Sequence, residues 1–518
     1  MSLPPFFDRI TNAVGPLVGS TEKLADFLTS RTIRIHIPNE SADDLVLSAG
    51  FLFAVNLAAR IYPTISLSAP AILAEVAQKL VLSINPLCDV SASKDYCDAE
   101  LCFSDERLPS AATITVALSG WTVFVDSRPE RKGPSNCLTS LAAAALGIGE
   151  LFRTVFADFL PTGRRAPAPA TFPMLGDSEV NNVAIEHVDI GRVHLVGAGA
   201  IGQAFLYALS QLDIEGTLFV IDPENIELSN LQRYVLSFMS DVGVSKCEIA
   251  NRALHHRSVA VIQSKAVWGE SEDSMAAETI CTALDSARDR IAVQAGLPRR
   301  IYNAWTQPND LGWSRHERFG EDPCLACLYV PAGAMLSQHQ LIASALHQNE
   351  LRVLAYLTLS LPIDHPLRFD QIPKLPQYPI PPDGARWCEK SILQDIIESL
   401  KLDPSVRDTW KGRELSTLYR EGICGGAIVS SNFGEIPQDV IVPLAHQSAL
   451  AGVLLATDLV VAQHPELKKR RSRNVESRLN VLAPLSQITD RPRQRTPGCI
   501  CSDPVYLTRY RYKWHSST

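Results

Sequence analysis

Hydrophobic and polar residues along the first 160 residues repeat with the periods of strands and helices. Ile33-Arg34-Ile35-His36-Ile37 has the two-residue period of a strand, and residues 43–60 have the spacing of a helix. The remaining pattern predicts two further helices and two strands, at 70–82, 137–159, 113–118 and 121–125. Because strands interleave with helices, this segment is predicted to be an α/β unit with a mainly parallel sheet. It contains no glycine-rich phosphate loop.

A second α/β unit follows a stretch that is rich in proline and alanine. It opens with the strand Val193-His194-Leu195-Val196 and alternates strands with helices to about residue 304. Residues 331–423 break this rhythm with helical runs and a proline-rich segment, which predicts an inserted subdomain. The tail after residue 471 is predicted to be irregular.

Length and charge narrow the class of protein. A chain of 518 residues exceeds one core of roughly 250–300 residues, so several domains are expected. Its 46% hydrophobic and 20% charged residues are typical of a globular protein. A net charge of -8 and a pI near 5.9 argue against nucleic acid as a partner, because nucleic-acid-binding surfaces are usually basic.

Targeting signals and membrane spans are not predicted. The N-terminal residues have neither a basic region nor a long apolar core, so they do not resemble a secretory signal. The apolar stretch from Val440 to Val461 is broken by Pro443 and Asp458, which favours a buried helix over a membrane span. The cysteines are therefore expected to be reduced thiols, metal ligands or catalytic groups, and the protein to be cytoplasmic.

A glycine loop follows the first strand of the second unit. Val196-Gly197-Ala198-Gly199-Ala200-Ile201-Gly202 has the spacing of a loop that brings backbone close to a phosphate at a helix N-terminus. Asp222 lies at the end of the next strand, where an acidic residue accepts hydrogen bonds from a ribose. These features predict a nucleotide site but fit NAD as well as ATP.

The residues beyond Asp222 distinguish these nucleotides. The run Asp222-Pro223-Glu224, followed by Ser229-Asn230-Leu231-Gln232-Arg233, resembles the signature of the ThiF/MoeB/ubiquitin-activating enzyme superfamily, and so does a later motif from Asp285 to Arg290. The resemblance implies an α/β fold with two Rossmann-like, ThiF-type adenylation units, of which the first is degenerate and the second active. A mainly helical, cysteine-bearing insertion interrupts the second. The implied segments are an inactive domain at 1–160, a linker at 161–190, an active domain at 191–330, an insertion at 331–430 and a final segment at 431–518 with a zinc-binding tail.

The same resemblance implies the ligands of the site. Arg233 and Lys246 are suited to hold the phosphates of ATP, since negative charge develops on the departing pyrophosphate. Asp285 would support Mg²⁺, which prefers oxygen ligands. The implied nucleotide-binding residues are Gly197, Gly199, Gly202, Asp222, Glu224, Asn230, Gln232, Arg233, Lys246 and Asp285.

Structural alternatives exist for several of these residues. Asp222 could be a turn residue, Asn230 and Asp285 could be helix caps, and Arg233 and Lys246 could be solvated charges. The sequence also departs from the family pattern in three positions, with Tyr234 in place of glutamine, Cys247 in place of alanine and Ser286 in place of asparagine.

Two cysteine pairs predict a metal site. Cys324 and Cys327 form a C-x-x-C, and Cys499 and Cys501 form a C-x-C near the end of the chain. Four thiolates suit a closed tetrahedral Zn²⁺ site that ties a tail to the body of the protein. The family has two such pairs at these places, normally both C-x-x-C. Reduced cysteines without a metal are the alternative.

A further cysteine is a candidate nucleophile. Cys424 is followed by Gly425 and Gly426, and this open setting would let a thiolate attack a protein-sized acyl adenylate to form a thioester. The neighbouring Arg420 would lower the thiol pKa. Cys388, within the insertion, is the rival, and a small buried residue in a glycine turn is the structural alternative.

We therefore expect an enzyme that adenylates a ubiquitin-like protein with ATP, forms a thioester through Cys424 and passes the acyl group to a ubiquitin-conjugating-like partner. Catalysis would involve Arg233, Lys246 and Asp285. The first unit would complete the ATP site with an arginine, for which Arg9 is the first guess. A bacterial pathway is expected, with antiviral defence as one setting, and the protein is either a monomer with an internal pseudo-dimer or a further homodimer.

Three other functions remain open at this level. A sulfur-carrier adenylyltransferase would use the same ATP site without a thioester, although such enzymes are usually short homodimers. An NAD-dependent oxidoreductase is disfavoured by Ser229-Asn230-Leu231-Gln232-Arg233. A non-catalytic scaffold that binds a ubiquitin-like protein is disfavoured by the intact Arg233, Lys246 and Asp285.

Overall fold

The structure, a computed structural model, describes residues 18–92, 96–104, 112–130, 133–134, 136–160, 162–175, 183–270, 272–307, 311–329, 339, 342–343, 346–368, 371, 390–399, 404, 406–418, 444–471, 475–485, 489–491 and 493–515. These residues divide into two compact units. The first comprises residues 1–330 and 443–518, and the second comprises residues 331–442.

The described residues of the first unit form two mixed sheets. The strands of the first sheet are β1 (Ile33–His36), β2 (Thr64–Ser68), β3 (Asp89–Ala92), β4 (Ala99–Phe103), β5 (Thr113–Ser119), β6 (Thr122–Val125) and β7 (Ala170–Pro173). Those of the second are β8 (Val188–Val196), β9 (Ile214–Ile221), β10 (Ser258–Ser264), β11 (Thr279–Thr282), β12 (Arg300–Thr306), β13 (Leu311–His316), β14 (Glu476–Leu479) and β15 (Thr489–Arg491).

The two sheets have the same strand order. The first runs β3-β2-β1-β4-β5-β6-β7, and the second runs β10-β9-β8-β11-β12-β13-β14-β15. In each, the first five strands of this order are parallel, and the strands after them are antiparallel. The prediction of two Rossmann-like units is therefore confirmed, and the chain contains an internal duplication of one fold.

Helices connect the strands of both halves. In the first half they are α1 (Thr21–Thr29), α2 (Asn39–Ala42), α3 (Leu45–Ala59), α4 (Ala71–Ile84) and α5 (Cys137–Val155). The second half contributes α6 (Ala200–Ser210), α7 (Lys246–Leu254), α8 (Ala287–Ala295) and α9 (Leu325–Tyr329). The helical unit contains α10 (Glu350–Thr358), α11 (Ile392–Ser399), α12 (Val406–Trp410) and α13 (Leu415–Thr417), and the chain ends with α14 (Ala445–Gln463), α15 (Pro465–Arg470) and α16 (Pro504–His515).

Two long helices, α5 and α14, occupy equivalent places in the two halves and pack against each other. Both are long and apolar enough to cross a membrane. However, 89% and 94% of the most apolar 18-residue stretch of each helix is buried inside the protein, as in core helices. A Cβ at Gly452 of α14 would lie 2.4 Å from the carbonyl oxygen of Ile201, so α14 packs directly on α6. This contact fixes α6, whose N-terminus carries the glycine loop.

The helical unit has its own core. Buried side chains from α10, α11 and the segment after them form it, including Val353, Tyr356, Ile396 and Trp410. Within it, the Tyr356 hydroxyl donates to the His365 carbonyl oxygen at 2.6 Å and accepts from the Ile392 amide at 3.1 Å. The described part of this unit is helical apart from short bridges and turns.

Some predicted boundaries were wrong. The segment predicted as a linker, 161–190, contains β7, which pairs with β6, and the first residues of β8. The tail is not irregular, because it supplies β14, β15 and α16. The short strands β7, β14 and β15 carry too few residues to show a period, and their pairing is a long-range contact.

His446, in the first turn of α14, is buried where the two halves meet. Its ring centroid lies 5.8 Å from that of Phe152 on α5, and neither ring nitrogen has a hydrogen-bond partner among the described residues. Burial lowers the pKa of His446 to about 3 from a usual value of 6.5. The imidazole is therefore neutral in the folded protein at physiological pH.

We expect the folded protein to lose stability as the pH falls below about 6.5, because the unfolded chain then binds a proton that folded His446 rejects. The stabilisation is complete above the unfolded pKa and declines toward the folded pKa near 3. At pH 5 the loss from this group should be about 2 kcal/mol. Denaturant unfolding at pH 7 and pH 5 would show a smaller pH effect in His446→Leu. The exposed His255, changed to leucine, is the control, and an unchanged pH dependence in His446→Leu would contradict the assignment.

Candidate functional site

The glycine loop lies at the carboxyl end of β8, at the point where ligands bind to sheets of this topology. Gly197 has a φ of +94°, and a Cβ there would lie 2.7 Å from the Ala283 carbonyl oxygen. A Cβ at Gly202 would lie 2.2 Å from the Gly197 carbonyl oxygen. Gly199 caps α6 without a side-chain hydrogen bond. The helix N-terminus is thus open to an anion such as phosphate.

The equivalent helix of the first half is closed to an anion. Asp44 caps α3, and its carboxylate accepts hydrogen bonds from the amides of Val46 at 2.8 Å and Leu47 at 3.4 Å. A carboxylate of the chain itself therefore occupies the position that a phosphate would take. This contact agrees with the expectation that the first α/β half is degenerate.

Asp222 holds the glycine loop. Its carboxylate accepts the amide of Ala198 at 2.7 Å and the amide of Glu224 at 2.9 Å. Burial raises the pKa of Asp222, while Lys246 and the two backbone hydrogen bonds lower it. The structural interpretation of Asp222 as a turn residue is thus observed. The contact with a ribose stays a prediction.

The two predicted phosphate-binding cations both lie close to the ring of Tyr234. The Lys246 ammonium is 5.4 Å from the centroid of the Tyr234 ring, and the Arg233 guanidinium carbon is 5.9 Å from it. A Cβ on Gly199 would lie 3.3 Å from the Tyr234 hydroxyl, so this ring also reaches the glycine loop. The structure therefore brings Arg233, Lys246 and the loop together around a buried aromatic residue.

The charged states of these cations follow from their surroundings. Lys246 is 4% exposed and forms an ion pair with Glu224. Burial alone would lower the pKa of Lys246, but Tyr234, Asp222 and Glu224 together raise it. Burial lowers the pKa of Arg233, with Tyr234 and Asp285 acting in the opposite direction. The structural alternative, a solvated surface charge, does not hold for Lys246, which is buried.

Asn230 and Gln232 behave differently from each other. The Asn230 side chain accepts the amide of Glu227 at 3.0 Å, which is the helix-capping role considered above. Gln232 is 2% exposed, and both polar atoms of its amide lack a hydrogen-bond partner among the described residues. A buried amide without a partner is costly, so a bound group that supplies one is favoured. Gln232 therefore fits a site that is completed by a ligand.

Asp285 is exposed at the entrance to α8, and Ser286 rather than Asp285 caps this helix by accepting the Asp289 amide at 3.0 Å. Asp285 thus remains available to a cation. Arg290 is buried and donates to the Ala304 carbonyl oxygen at 2.9 Å, and it also bonds to the Leu284 carbonyl. Its role is to fix the segment that carries Asp285.

The four predicted zinc ligands come together. Their sulfur atoms lie within 4.8 Å of one another and all four residues are buried. The Cys324–Cys499 and Cys327–Cys501 sulfur distances are 3.5 and 3.4 Å, and Cys324–Cys327 is 3.9 Å. A tetrahedral zinc with bonds of about 2.3 Å places its sulfur ligands about 3.8 Å apart. The set therefore fits zinc, and the C-x-C spacing reaches the same geometry as a C-x-x-C.

A backbone hydrogen bond favours negative charge on one of these sulfurs. The amide of Thr496 donates to the Cys327 sulfur at 3.4 Å. Zinc binds the thiolate form, so this donor favours the state that the metal requires.

Several predicted residues lie outside the described residues. These are the candidate nucleophile Cys424 with Arg420, the rival Cys388, and Arg9. An arginine from the first half nevertheless contacts the segment that carries Arg233. Arg60 bonds to the carbonyl oxygen of Leu231, a contact that no local pattern in the sequence indicates.

The region that carries this site is similar in sequence to known proteins. The model of the ThiF family matches residues 178–295, which include the glycine loop, Arg233, Lys246 and Asp285. The uncharacterized protein y4jF of Sinorhizobium fredii (strain NBRC 101917 / NGR234) is 31% identical over 546 aligned residues, covering 100% of this chain and 98% of that protein. The Nedd8-activating enzyme E1 catalytic subunit of Drosophila melanogaster is 42% identical over 66 residues, which are 13% of this chain and 14% of that protein.

Proposed function

Since this chain belongs to the ThiF/MoeB/ubiquitin-activating enzyme superfamily, whose chemistry is adenylation, we propose that it adenylates the C-terminal carboxylate of a ubiquitin-like protein with ATP. One observation carries the proposal: Tyr234 is close to Arg233, to Lys246 and to the glycine loop at the open N-terminus of α6. Cations opposite an anion-binding loop suit the triphosphate of ATP, whose phosphates carry most of its charge.

The proposed first step joins the carboxylate to the α-phosphorus of ATP. A carboxylate oxygen attacks this phosphorus, the bond to the bridging oxygen of the β-phosphate breaks, and pyrophosphate leaves with the electron pair. Arg233 and Lys246 would stabilise the charge that develops on the leaving group. Asp285 would hold Mg²⁺, and the four cysteines would hold a structural Zn²⁺ that ties the tail to the body.

The proposed second step forms a thioester. The Cys424 thiolate would attack the acyl carbon of the adenylate, and AMP would leave with the electron pair of the broken anhydride bond. A ubiquitin-conjugating-like protein would then accept the acyl group on its own thiol. The similarity of 66 residues to a Nedd8-activating enzyme E1 catalytic subunit supports an activating role. A bacterial conjugation pathway, with antiviral defence as one setting, stays part of the proposal.

A non-reducing gel tests the thioester. The full chain, MgATP and a ubiquitin-like protein encoded nearby are expected to give an adduct that thiol reductant removes. Cys424→Ala should lose this adduct while it keeps carrier-dependent pyrophosphate release, because adenylation precedes thiolate attack. Cys388→Ala serves as the matched control and should keep both.

Other results would reassign the chemistry. Pyrophosphate release without any adduct would support a sulfur-carrier adenylyltransferase instead. Loss of the adduct in Cys388→Ala alone would transfer the nucleophile to Cys388. If no AMP forms with any carrier, the protein is a scaffold that binds a ubiquitin-like protein, and the enzymatic proposal fails.

A further inference from the structure

A buried contact joins the first half to the segment that carries Arg233. We call residues 230–237 the arginine loop. Arg60, at the C-terminal end of α3, bonds to the Leu231 carbonyl and donates to the Ser237 carbonyl oxygen at 3.2 Å. Asn56, one turn earlier on α3, donates to the Val235 carbonyl oxygen at 2.9 Å. Three carbonyls of one short loop are therefore held by two side chains of the other half.

We propose that Arg60 is a positioning residue for the phosphate-binding side of the active site. The inference rests on the function proposed above and names the contribution of the first half to it. Leu231 and Val235 stand two positions before and two after Arg233 in the sequence. Bonds to their carbonyls fix the backbone from the side of the first half, and this leaves Arg233 and Tyr234 facing Lys246 and Gly199.

The environment of Arg60 is unusual for an arginine that only joins two surfaces. Its side chain is 0% exposed, and no carboxylate among the described residues forms an ion pair with it. Arg60 donates one hydrogen bond to the Asn56 side chain at 2.9 Å. Its other side-chain hydrogen bonds among the described residues go to carbonyl oxygens of the arginine loop. A buried cation is costly unless hydrogen bonds satisfy it. Detachment of the loop would leave Arg60 unsatisfied, so the loop is held in one conformation.

A second buried arginine offers a matched comparison. Arg153 on α5 is also almost fully buried, but it bonds to the Glu150 carboxylate and the Thr162 carbonyl and has no recorded contact with the arginine loop. Its loss should lower stability without disturbing the loop. Comparing variants of Arg60 and Arg153 therefore distinguishes an effect on the position of the site from a general loss of stability.

The test uses the full chain as wild type, Arg60→Met, Arg60→Lys and Arg153→Met. Calorimetric titration with MgATP is expected to show a Kd about tenfold higher for Arg60→Met, because a loosened loop must be ordered when the nucleotide binds. Amides of residues 230–237 should exchange hydrogen about tenfold faster in that variant, while those of 197–202 keep their rates. Arg60→Lys should recover part of both effects. Arg153→Met should keep the wild-type Kd even where its unfolding temperature falls.

Each outcome decides the inference. A folded Arg60→Met with wild-type affinity and wild-type exchange at residues 230–237 would overturn it. If Arg60→Met does not fold, Asn56→Ala replaces it, and an arginine loop with unchanged exchange in that variant would overturn it equally. If wild-type protein fails to bind MgATP, the proposed function is wrong. The hydrogen-exchange rates of residues 230–237 in wild type and Arg60→Met would still decide whether Arg60 positions the loop.

Discussion

Replacement of Lys246 by methionine is expected to lower carrier-dependent ATP–pyrophosphate exchange about 10²–10³-fold, the usual effect of removing a preorganised group that stabilises charge in a transition state. Lys246 is 4% exposed and stands at the start of α7 over the ring of Tyr234. The pKa of Lys246 is raised, so the ammonium keeps its proton throughout the usual assay range. Methionine retains most of the length and volume of the side chain but removes this charge.

Exchange of radiolabelled pyrophosphate into ATP, measured with saturating carrier, is the appropriate assay. The exposed Lys265, changed to methionine, should exchange at the wild-type rate and controls for the loss of one positive charge. Glu224→Gln removes the ion-pair partner and keeps the cation, so it should lower exchange less than Lys246→Met does. A Lys246→Met protein with more than about a tenth of wild-type exchange would assign Lys246 to the ion pair with Glu224 alone.

The glycine loop and the second α/β unit were predictable because their signals are local. A Cβ at Gly197 or Gly202 would overlap with backbone atoms, so only glycine fits at these two positions. The spacing of these glycines can therefore be recognised in the sequence alone. The same holds for the two cysteine pairs, since metal ligation demands particular residue types. Long buried helices such as α14 were also predictable, although the apolar run begins at Val440, five residues before the helix.

The contacts between the halves could not be predicted. Arg60 bonds to Leu231, which is 171 residues away along the chain, and its hydrophobic neighbours on α3 give no sign of it. Tyr234 was visible only as a departure from a family pattern. Its contacts with Lys246 and Gly199 depend on how the arginine loop packs against the glycine loop. Such pairings depend on topology, which single-sequence periodicity does not encode.

The duplicated fold explains where the helical unit is inserted. In the first half, the chain passes from β6 to α5 through a short connection, residues 126–136. In the second half, the equivalent passage from β13 to α14 spans residues 317–444 and includes α9 and the helical unit. The strands of the two sheets follow the same order despite this difference. An addition at this connection leaves the sheets intact, because insertions in connections are tolerated better than changes within the elements they join.

Substitution of Cys327 by serine is expected to remove the bound zinc and to lower the unfolding temperature by roughly 5–10 °C, because metal binding at a structural site contributes directly to folding. The cluster joins α9 to the turn before α16, which in turn holds α8. Within α16, the Lys513 ammonium donates to the Gly296 carbonyl oxygen at 2.8 Å, and the Trp514 indole donates to the Leu297 carbonyl oxygen at 2.8 Å. Loss of the metal should therefore release the last helix together with the end of α8.

Elemental analysis of the purified full chain is expected to give one zinc per protein for wild type and about a tenth or less for Cys327→Ser, since three thiolates bind far more weakly than four. The unfolding temperature, measured by circular dichroism, should be lower in Cys327→Ser than in wild type. Cys97 lies outside the cluster and is half-buried, so Cys97→Ser should keep both the zinc and the unfolding temperature. A wild-type protein that contains no zinc after growth with the metal, and that unfolds at the same temperature as Cys327→Ser, would show that the cluster neither binds zinc nor depends on Cys327 for its stability.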